Sequence, residues 1–390
     1  MTVTLESLRA IPLTASFAAI YGGEDRIPDE IRHPASHFQA IPRVGQYCTL
    51  VIARTSDGAE GLGECFGLPT PYPAAEIINR VIAPTLTGQQ IGNPSQMAAA
   101  LRRFFLALGH SRGPAMEALS GVDIALWDLL ARREGKTLSA FLGSEPKAIP
   151  TYVSPVPFLA TPEQSAAAAR GLVGSFGGLK LKIGRKHPAE DIAHVHAVRE
   201  ALDPARRLML DANCGYDAVG ARALVAGIEG LDIAWLEEPM PPEETDALRE
   251  LAGATSIPLA GGENEFTTEA LARLMDSTGI RIVQPNITRI GGVSAMRDLD
   301  MLAAERNAEI APHGVGGSIA VAATLQVAAA LQTVTVFEVN RLPNPLRDGL
   351  GAQISFDVSG LASPPEGLGH GITLQDSDYQ VFAETGKFAA

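Results

Sequence analysis

Three carboxylates stand at equal intervals in the middle of this 390-residue chain: Asp211 in LMLDAN, Glu237 in AWLEEP and Glu263 in AGGENE, each 26 residues from the next. Each closes a short apolar run that reads as a buried strand. An interval of that size holds one strand, one loop and one helix, the repeating unit of a βα barrel. In such a barrel, residues at the carboxyl ends of the parallel strands converge on one face, where the catalytic groups of the fold lie. Three convergent carboxylates cannot share a dry pocket unpaired. A hard divalent cation resolves the conflict, and a ligand set made only of oxygen points to Mg²⁺ rather than zinc.

The rest of the chain keeps the same beat. From Thr151 onward, TYVSP, LKLKI, RLMLDA, IAWLEE, PLAGGE, RIVQPN, EIAPHG and TVFEV read as strands, with helical stretches between them. Strict alternation implies a parallel sheet, and eight strands imply closure into a barrel. An open, doubly wound sheet is the alternative. It usually carries a Gly-rich phosphate turn after its first strand, and neither GxGxxG nor GxxxxGKS/T is found there.

Upstream, residues 3–8 and 47–53 alternate like antiparallel strands. Residues 115–133 read as an amphipathic helix, with Leu119, Val122, Leu126, Leu129 and Leu130 at helical spacing and Gly135 as its stop. Residues 21–39 hold Gly22, Gly23, Pro28 and Pro34 among Asp25, Arg26, Arg32, His33 and His37. Such a long polar loop suits a lid, with a disordered surface insertion as the bland alternative. Beyond Glu338 the repeat stops, and the tail (ISFDVSG, then PPEGLGHGITL) has strand and turn character. The expected architecture is therefore α/β: a capping α+β domain over 1–145, a barrel over 146–340, and a tail over 341–390 that returns to the cap.

Composition narrows the partners. A net charge of −13, from 31 basic and 44 acidic residues, argues against nucleic acid and anionic membranes. A small anionic substrate remains open, because a bound metal can reverse the local field. Cys48, Cys65 and Cys214 show neither zinc spacing nor a disulfide framework, which fits a reducing cytoplasm. The opening MTVTLESLRAIPL has an acid at Glu6 and no continuous apolar core, unlike a signal peptide. The longest apolar stretch, residues 319–331, is too short to span a bilayer.

The chemistry-bearing residues follow from the strand ends. Lys180 and Lys182 are two apart in a strand, so both are expected to enter the barrel mouth. Two like charges lower one another's pKa, and a desolvated lysine can then act as a base near neutral pH. Glu238, next to Glu237, should point away. His313 lies 102 residues after Asp211, four repeats on, across the mouth from the lysine strand. Gly316, Gly317 and Ser318 then offer backbone N–H groups as an anion seat at a helix start. Glu338 ends the eighth strand in the same register. Together these parts read as proton abstraction beside a substrate carboxylate. A lysine takes the proton, and the cation stabilises the enediolate. A protonated Glu338 would donate a hydrogen bond to it, and His313 would return a proton or protonate a leaving group.

Taken together, the segments GVDIALWDLLARREGKTLSAFLG, KLKIG, LDAN, WLEEP, GEN, RIGGVSAM and PHG resemble the enolase superfamily, and within it the mandelate racemase group. The match runs over nearly the whole chain. The resemblance implies a modified (β/α)₇β barrel capped by an α+β domain from both chain ends. It implies Mg²⁺ on Asp211, Glu237 and Glu263, Lys182 as the base and His313 opposite. It also favours a homo-oligomer, a dimer or an octamer. One position departs. Where the mandelate racemase pattern places an Asp behind the His, and the muconate-lactonizing pattern a Lys, this chain has Asn286. Asn can orient the imidazole but cannot stabilise an imidazolium by charge.

The leading expectation is a Mg²⁺-dependent dehydratase of a polyhydroxylated sugar acid, with Lys182 abstracting the α-proton and His313 assisting loss of the β-hydroxyl. A racemase, epimerase or lactone cycloisomerase on the same scaffold is the alternative. A metal-binding barrel whose second catalytic group has decayed at Asn286 is the non-enzymatic one. Asn213, Arg26 and His33 are the expected substrate contacts. Specificity is expected in residues 21–39 and in Gly61-Leu62-Gly63-Glu64-Cys65.

Overall fold

The computed structural model describes residues 3–351, 357 and 359–384. Its first layer is a sheet of β1 (Val3–Ser16), β2 (Gly45–Thr55), β3 (Glu60–Phe66) and β4 (Gln90–Ile91), in the order β3-β2-β1-β4. Neighbouring strands run antiparallel. Against β2 and β3 lies the helix Pro114–Arg133. Gly61 and Gly63 allow that approach: a Cβ at either would run into the carbonyl oxygens of Ala125 and Gly121.

This helix was expected to be amphipathic, but nearly all of it is buried. Its apolar side packs on the cap sheet. Its polar side is covered by the barrel helix Gly292–Glu305. Asp123 accepts from the Ser294 amide at 2.9 Å and the Ser294 hydroxyl at 2.6 Å, and Trp127 Nε1 donates to Ser294 Oγ at 2.9 Å. Polar residues on this helix therefore mark a domain junction rather than a solvated face. Buried groups of this kind are tolerated because each is hydrogen-bonded. Of the stretch expected to shape specificity, Gly61 and Cys65 pack within the cap, and Glu64 reaches across to Gly317 and Ala320 of the barrel.

The second layer is the barrel. Its strands are β5 (Ile149–Val156), β6 (Gly178–Lys182), β7 (Arg207–Asp211), β8 (Trp235–Glu237), β9 (Leu259–Gly261), β10 (Ile282–Val283), β11 (Glu309–Ile310) and β12 (Phe337–Asn340). They pair in parallel in the order β11-β10-β9-β8-β7-β6-β5-β12. The ring closes through a parallel bridge between Ile310 and Val334, just before β12. Each strand expected from the sequence is present. The interior is filled by Tyr152, Met209, Trp235, Ala260, Ile282, Ala311 and Val336, so the barrel is a packed core rather than a pore.

The tail returns to the cap, but it touches the barrel first. Its first described strand, β13 (Leu361–Ala362), pairs antiparallel with β5 of the barrel rather than with the cap. The chain rejoins the cap from Gly369 onward, where the Leu138 amide donates to Gly369 O at 2.6 Å and the His370 amide donates to Asp128 Oδ1 at 2.8 Å. The ISFDVSG part of the expected tail falls largely outside the described residues. No helix among the described residues is long and apolar enough to cross a membrane.

Candidate active site

The ladder fixes the heights of the functional groups. Lys182 pairs with Asp211, and Asp211 pairs with Glu237. Glu237, however, pairs with Ala260. Equal intervals in sequence are thus unequal in register, and Glu263 lies past the end of β9. Gly262, at φ 113°, makes the turn that brings it back. One carboxylate oxygen from each of Asp211, Glu237 and Glu263 then falls within 4.8 Å of the others.

The surroundings of this triad are strongly charged. Lys180 Nζ lies 2.9 Å from Glu237 Oε1, 2.8 Å from Glu338 Oε1 and 3.5 Å from Asp211 Oδ2. Lys182 Nζ donates to Asp211 Oδ2 at 2.5 Å and to Asn213 Oδ1 at 2.7 Å. The Asn213 amide in turn donates to Asp211 Oδ1 at 2.9 Å, and its Nδ2 donates to Glu263 Oε1 at 3.5 Å. Gln284 Nε2 donates to Glu237 Oε2 at 2.5 Å. Four carboxylates (Asp211, Glu237, Glu263, Glu338) face two ammonium groups, an excess of two negative charges. Glu263 Oε2 is buried and has no hydrogen-bond partner. His313 Nε2 is 3.2 Å from that oxygen, but off the line a hydrogen bond requires. An unpaired carboxylate oxygen, two excess negative charges and an all-oxygen donor set fit a hard divalent cation.

Two expectations change here. Lys180 does not share the mouth with Lys182. It is 1% exposed and lies one layer below, clamped by Glu237 and Glu338. Nor does either lysine end up lowered, although Lys180 does push Lys182 down. Burial pushes both down, but the carboxylates outweigh it: Glu237 and Glu338 raise Lys180, and Asp211 raises Lys182. Glu338 is not a protonated donor either. Burial pushes its carboxyl up, yet the Lys180 ammonium holds it at about 2, so it is ionised and accepts from Lys180 and from the Gly314 amide at 2.9 Å. Burial and the neighbouring Asp211 push Glu237 the other way, well above the usual carboxylate range. Glu238 turns to Asn264 Nδ2, which donates at 2.9 and 3.0 Å, and burial raises it to about 8.

Asn286 has a fixed orientation. Its Oδ1 accepts from the Thr288 amide at 2.9 Å and the Thr288 hydroxyl at 2.6 Å. Its Nδ2 donates to Val315 O at 3.0 Å and faces His313 Nδ1 at 3.1 Å. His313 Nδ1 must therefore be the acceptor, which leaves the imidazole proton on Nε2. Burial lowers the imidazole's pKa against the opposing pull of Glu263 and Glu338. His313 is thus a neutral ring presenting N–H to the pocket.

Over these groups lies a cavity of about 470 Å³ shared by barrel and cap. Lys182, Asn213, Glu263 and His313 line it from below, and His37, Phe38 and Arg43 from above. Arg26 and His33, expected as substrate contacts, are outside it. Residues 17–38 are a series of short helices rather than an open loop. Ile27 and Ile31 anchor them on Phe17. That packing turns Arg32 to Glu24 at 2.7 Å and His33 to Asp29 at 2.9 Å, while Arg26 is exposed. The expected anion seat at Gly316–Ser318 is filled from within: Glu64 accepts from the Gly317 amide at 2.6 Å and the Ala320 amide at 3.1 Å.

Two residues at the cavity escaped sequence reasoning. Arg43 sits in AIPRVGQY, outside any periodic segment, and only its isolation among apolar neighbours sets it apart. Arg289 stood in a recognised turn without a role. Its guanidinium lies over Phe66 at 4.1 Å, meets Glu117 at 3.3 Å and donates to Glu263 O and Asn264 Oδ1 at 3.1 Å, tying the cap to the Glu263 turn.

A closed eight-stranded barrel with three carboxylates and a lysine at its carboxyl end, under an α+β cap, defines a class. Residues 163–378 match the family described as enolase C-terminal domain-like, and residues 30–143 match the mandelate racemase / muconate lactonizing enzyme N-terminal domain. The chain belongs to the mandelate racemase / muconate lactonizing enzyme family of the enolase superfamily. It is 31% identical over 338 residues to D-galactarolactone cycloisomerase of Agrobacterium fabrum, covering 83% of this chain and 88% of that protein. It is 32% identical over 268 residues to L-talarate/galactarate dehydratase of Salmonella typhimurium, covering 68% of this chain and 67% of that protein. A crystal structure of an enolase superfamily member from Polaromonas sp. JS666 superposes with a TM-score of 0.85 at 25% identity, over 97% of both chains.

Proposed function

We propose that this chain removes the proton beside the carboxylate of a polyhydroxylated sugar acid with Lys182 and completes a β-elimination, dehydrating the acid to a 2-keto-3-deoxy acid. The carrying observation is the set of three oxygen ligands converging within 4.8 Å, with an unpartnered Glu263 oxygen, beside Lys182 on the cavity floor. Asp211, Glu237 and Glu263 would hold Mg²⁺, whose charge offsets the negative charge that builds on the substrate carboxylate. The relatives named as a sugar-acid dehydratase and a sugar-acid lactone cycloisomerase support this substrate class.

The chain's own groups divide the work. Lys182 receives the α-proton at Nζ, a role open to it once the charge of Asp211 is taken up elsewhere. Asn213 aims that amine by accepting one of its N–H groups. Lys180 stays below and balances Glu237 and Glu338. His313 offers Nε2–H to the departing group on the β-carbon. The cap excludes water, which strengthens each of these interactions.

One observation favours a second reading, the ring opening of a sugar-acid lactone. Hydroxide leaves poorly without a full proton, and a neutral imidazole donates a hydrogen bond but gives up its proton reluctantly. Asn286 presents a donor to Nδ1 and so opposes the imidazolium as well. A ring carboxylate needs no proton to leave. The same pairing argues against racemisation, since His313 offers no lone pair at Nε2 for a second base.

Incubation of open-chain sugar acids and their lactones with Mg²⁺ in D₂O, followed by proton NMR, tests the proposal. A 2-keto-3-deoxy acid from an open-chain substrate is expected. The same product from lactones alone would move the assignment to ring opening, and no α-exchange with any substrate would refute both. Asn286→Asp should also create a base. An aspartate would accept Nδ1–H and free the Nε2 lone pair, so exchange with substrates of opposite α-configuration should rise at least about tenfold. Unchanged exchange would show that Asn286 does not control His313.

A further inference from the structure

Arg43 is 8% exposed, lines the cavity from the cap side, and has no carboxylate partner among the described residues. The other cations on this cavity are matched: Lys182 by Asp211, Arg289 by Glu117 and Arg347 by Asp348. The Arg43 guanidinium carbon lies 5.5 Å from the Phe17 ring centre and 5.3 Å from that of Phe38. One terminal nitrogen donates to Gln46 Oε1 at 2.7 Å, and Gln46 is itself held by Pro343 O at 2.8 Å. Nε is buried and has no hydrogen-bond partner. The backbone is fixed as well, since the Arg43 amide donates to Arg32 O at 2.9 Å.

A guanidinium held this way is a poor packing residue. The rings cover its faces, but its edge carries donors in a planar fork, and one of them is left bare. Desolvation penalises a charge unless an anion completes it. The anion that matches a planar fork is a carboxylate or a phosphate, and in a sugar-acid site the carboxylate is already the substrate's own chemistry.

We propose that Arg43 receives a second carboxylate at the far end of the substrate, so that the preferred substrates are sugar diacids or their monolactones rather than monoacids. This rests on the function proposed above. One carboxylate lies at the Lys182 end of the cavity and the other against the cap. Arg43 thereby couples recognition of the far end to the segment that closes the site.

The test compares a six-carbon sugar diacid with the monoacid of the same configuration, each also as its 1,4-lactone, using the full chain with Mg²⁺. Wild type should favour the diacid by about 100-fold or more in kcat/KM, because a site built for a charged group rejects the analogue that lacks it. Arg43→Gln should collapse that ratio, mainly through KM, and Arg43→Lys should restore part of it. A wild-type preference under about tenfold would overturn the proposal, as would a loss in Arg43→Gln that is equal for both substrates. If Arg43→Gln fails to fold, the wild-type ratio decides alone. Calorimetric binding of the diacid separates the two claims. Weaker binding by Arg43→Gln without any α-exchange would sustain the carboxylate seat while refuting the reaction. Equal binding by both proteins would refute the seat.

Discussion

Replacing Lys182 by Met is expected to lower the rate of α-proton exchange by about 10²–10⁴-fold, the range a positioned general base contributes. The structure makes this a specific expectation. Among the described residues Lys182 is the one lysine that lines the cavity, and both its strand position and its contacts to Asp211 and Asn213 aim it at the cavity floor. Loss of Lys182 also leaves Asp211 less compensated, so the variant should melt lower without Mg²⁺ and regain much of that loss when Mg²⁺ is added. Lys180→Met supplies the contrast. It strips the counter-charge from Glu237 and Glu338 in the barrel interior, and removing one partner of a buried pair costs about 3–5 kcal/mol. Lys180→Met should therefore fail as a protein, and Lys182→Met as an enzyme. Exchange within about tenfold of wild type in Lys182→Met would end the assignment of the base.

The two lysines also show where sequence reasoning reaches its limit. Period-two alternation puts Lys180 and Lys182 on the same side of β6, and the structure agrees. Alternation says nothing of depth. Two residues along a strand are separated by about 6.6 Å, enough to move a side chain from the barrel mouth into the layer below it. The same holds for the acids. Their regular interval disclosed the barrel and three convergent acids, because a parallel strand buried on both faces reads as an apolar run ending in its one polar group. It did not disclose that Glu263 lies beyond its strand. That depends on inter-strand register and on the left-handed Gly262, which only pairing partners reveal.

The cap was less legible for a different reason. Residues 17–44 carry no period, so their orientation is set by a few apolar anchors. Ile27 and Ile31 on Phe17 turn Arg26, Arg32 and His33 away from the cavity and leave His37 and Arg43 in it. Polar composition set this segment apart but could not rank its charges. Glu64 makes the same point from the other side. Its place in GLGECF gives no sign of a helix start more than 250 residues away, yet its carboxylate occupies the amides that looked free for a ligand. Local motifs read well where one strand end determines a side chain's surroundings. They read poorly where the partner comes from the other domain.

Glu263→Gln should move stability and activity in opposite directions. The three convergent carboxylates are buried at 0, 0 and 8% exposure, and their mutual repulsion is only partly offset by the two lysines. Glu263 has an oxygen lacking a hydrogen-bond partner, and among the described residues it makes no lysine contact. An uncharged glutamine keeps the shape and removes repulsion, so without metal the variant should be more stable by about 1–3 kcal/mol, as strained functional sites commonly are when neutralised. Asp211→Asn should do the reverse, because Asp211 compensates both Lys182 and Lys180. In binding, the two variants should agree: each should weaken Mg²⁺ affinity by at least about 100-fold in calorimetry, and α-exchange should fall with it. Chelation of wild type should give the same loss, reversed by adding Mg²⁺. If Glu263→Gln instead destabilised the metal-free protein as much as Asp211→Asn, Glu263 would be part of the scaffold's ion-pair network. The triad would then be a set of paired acids rather than a seat for a cation.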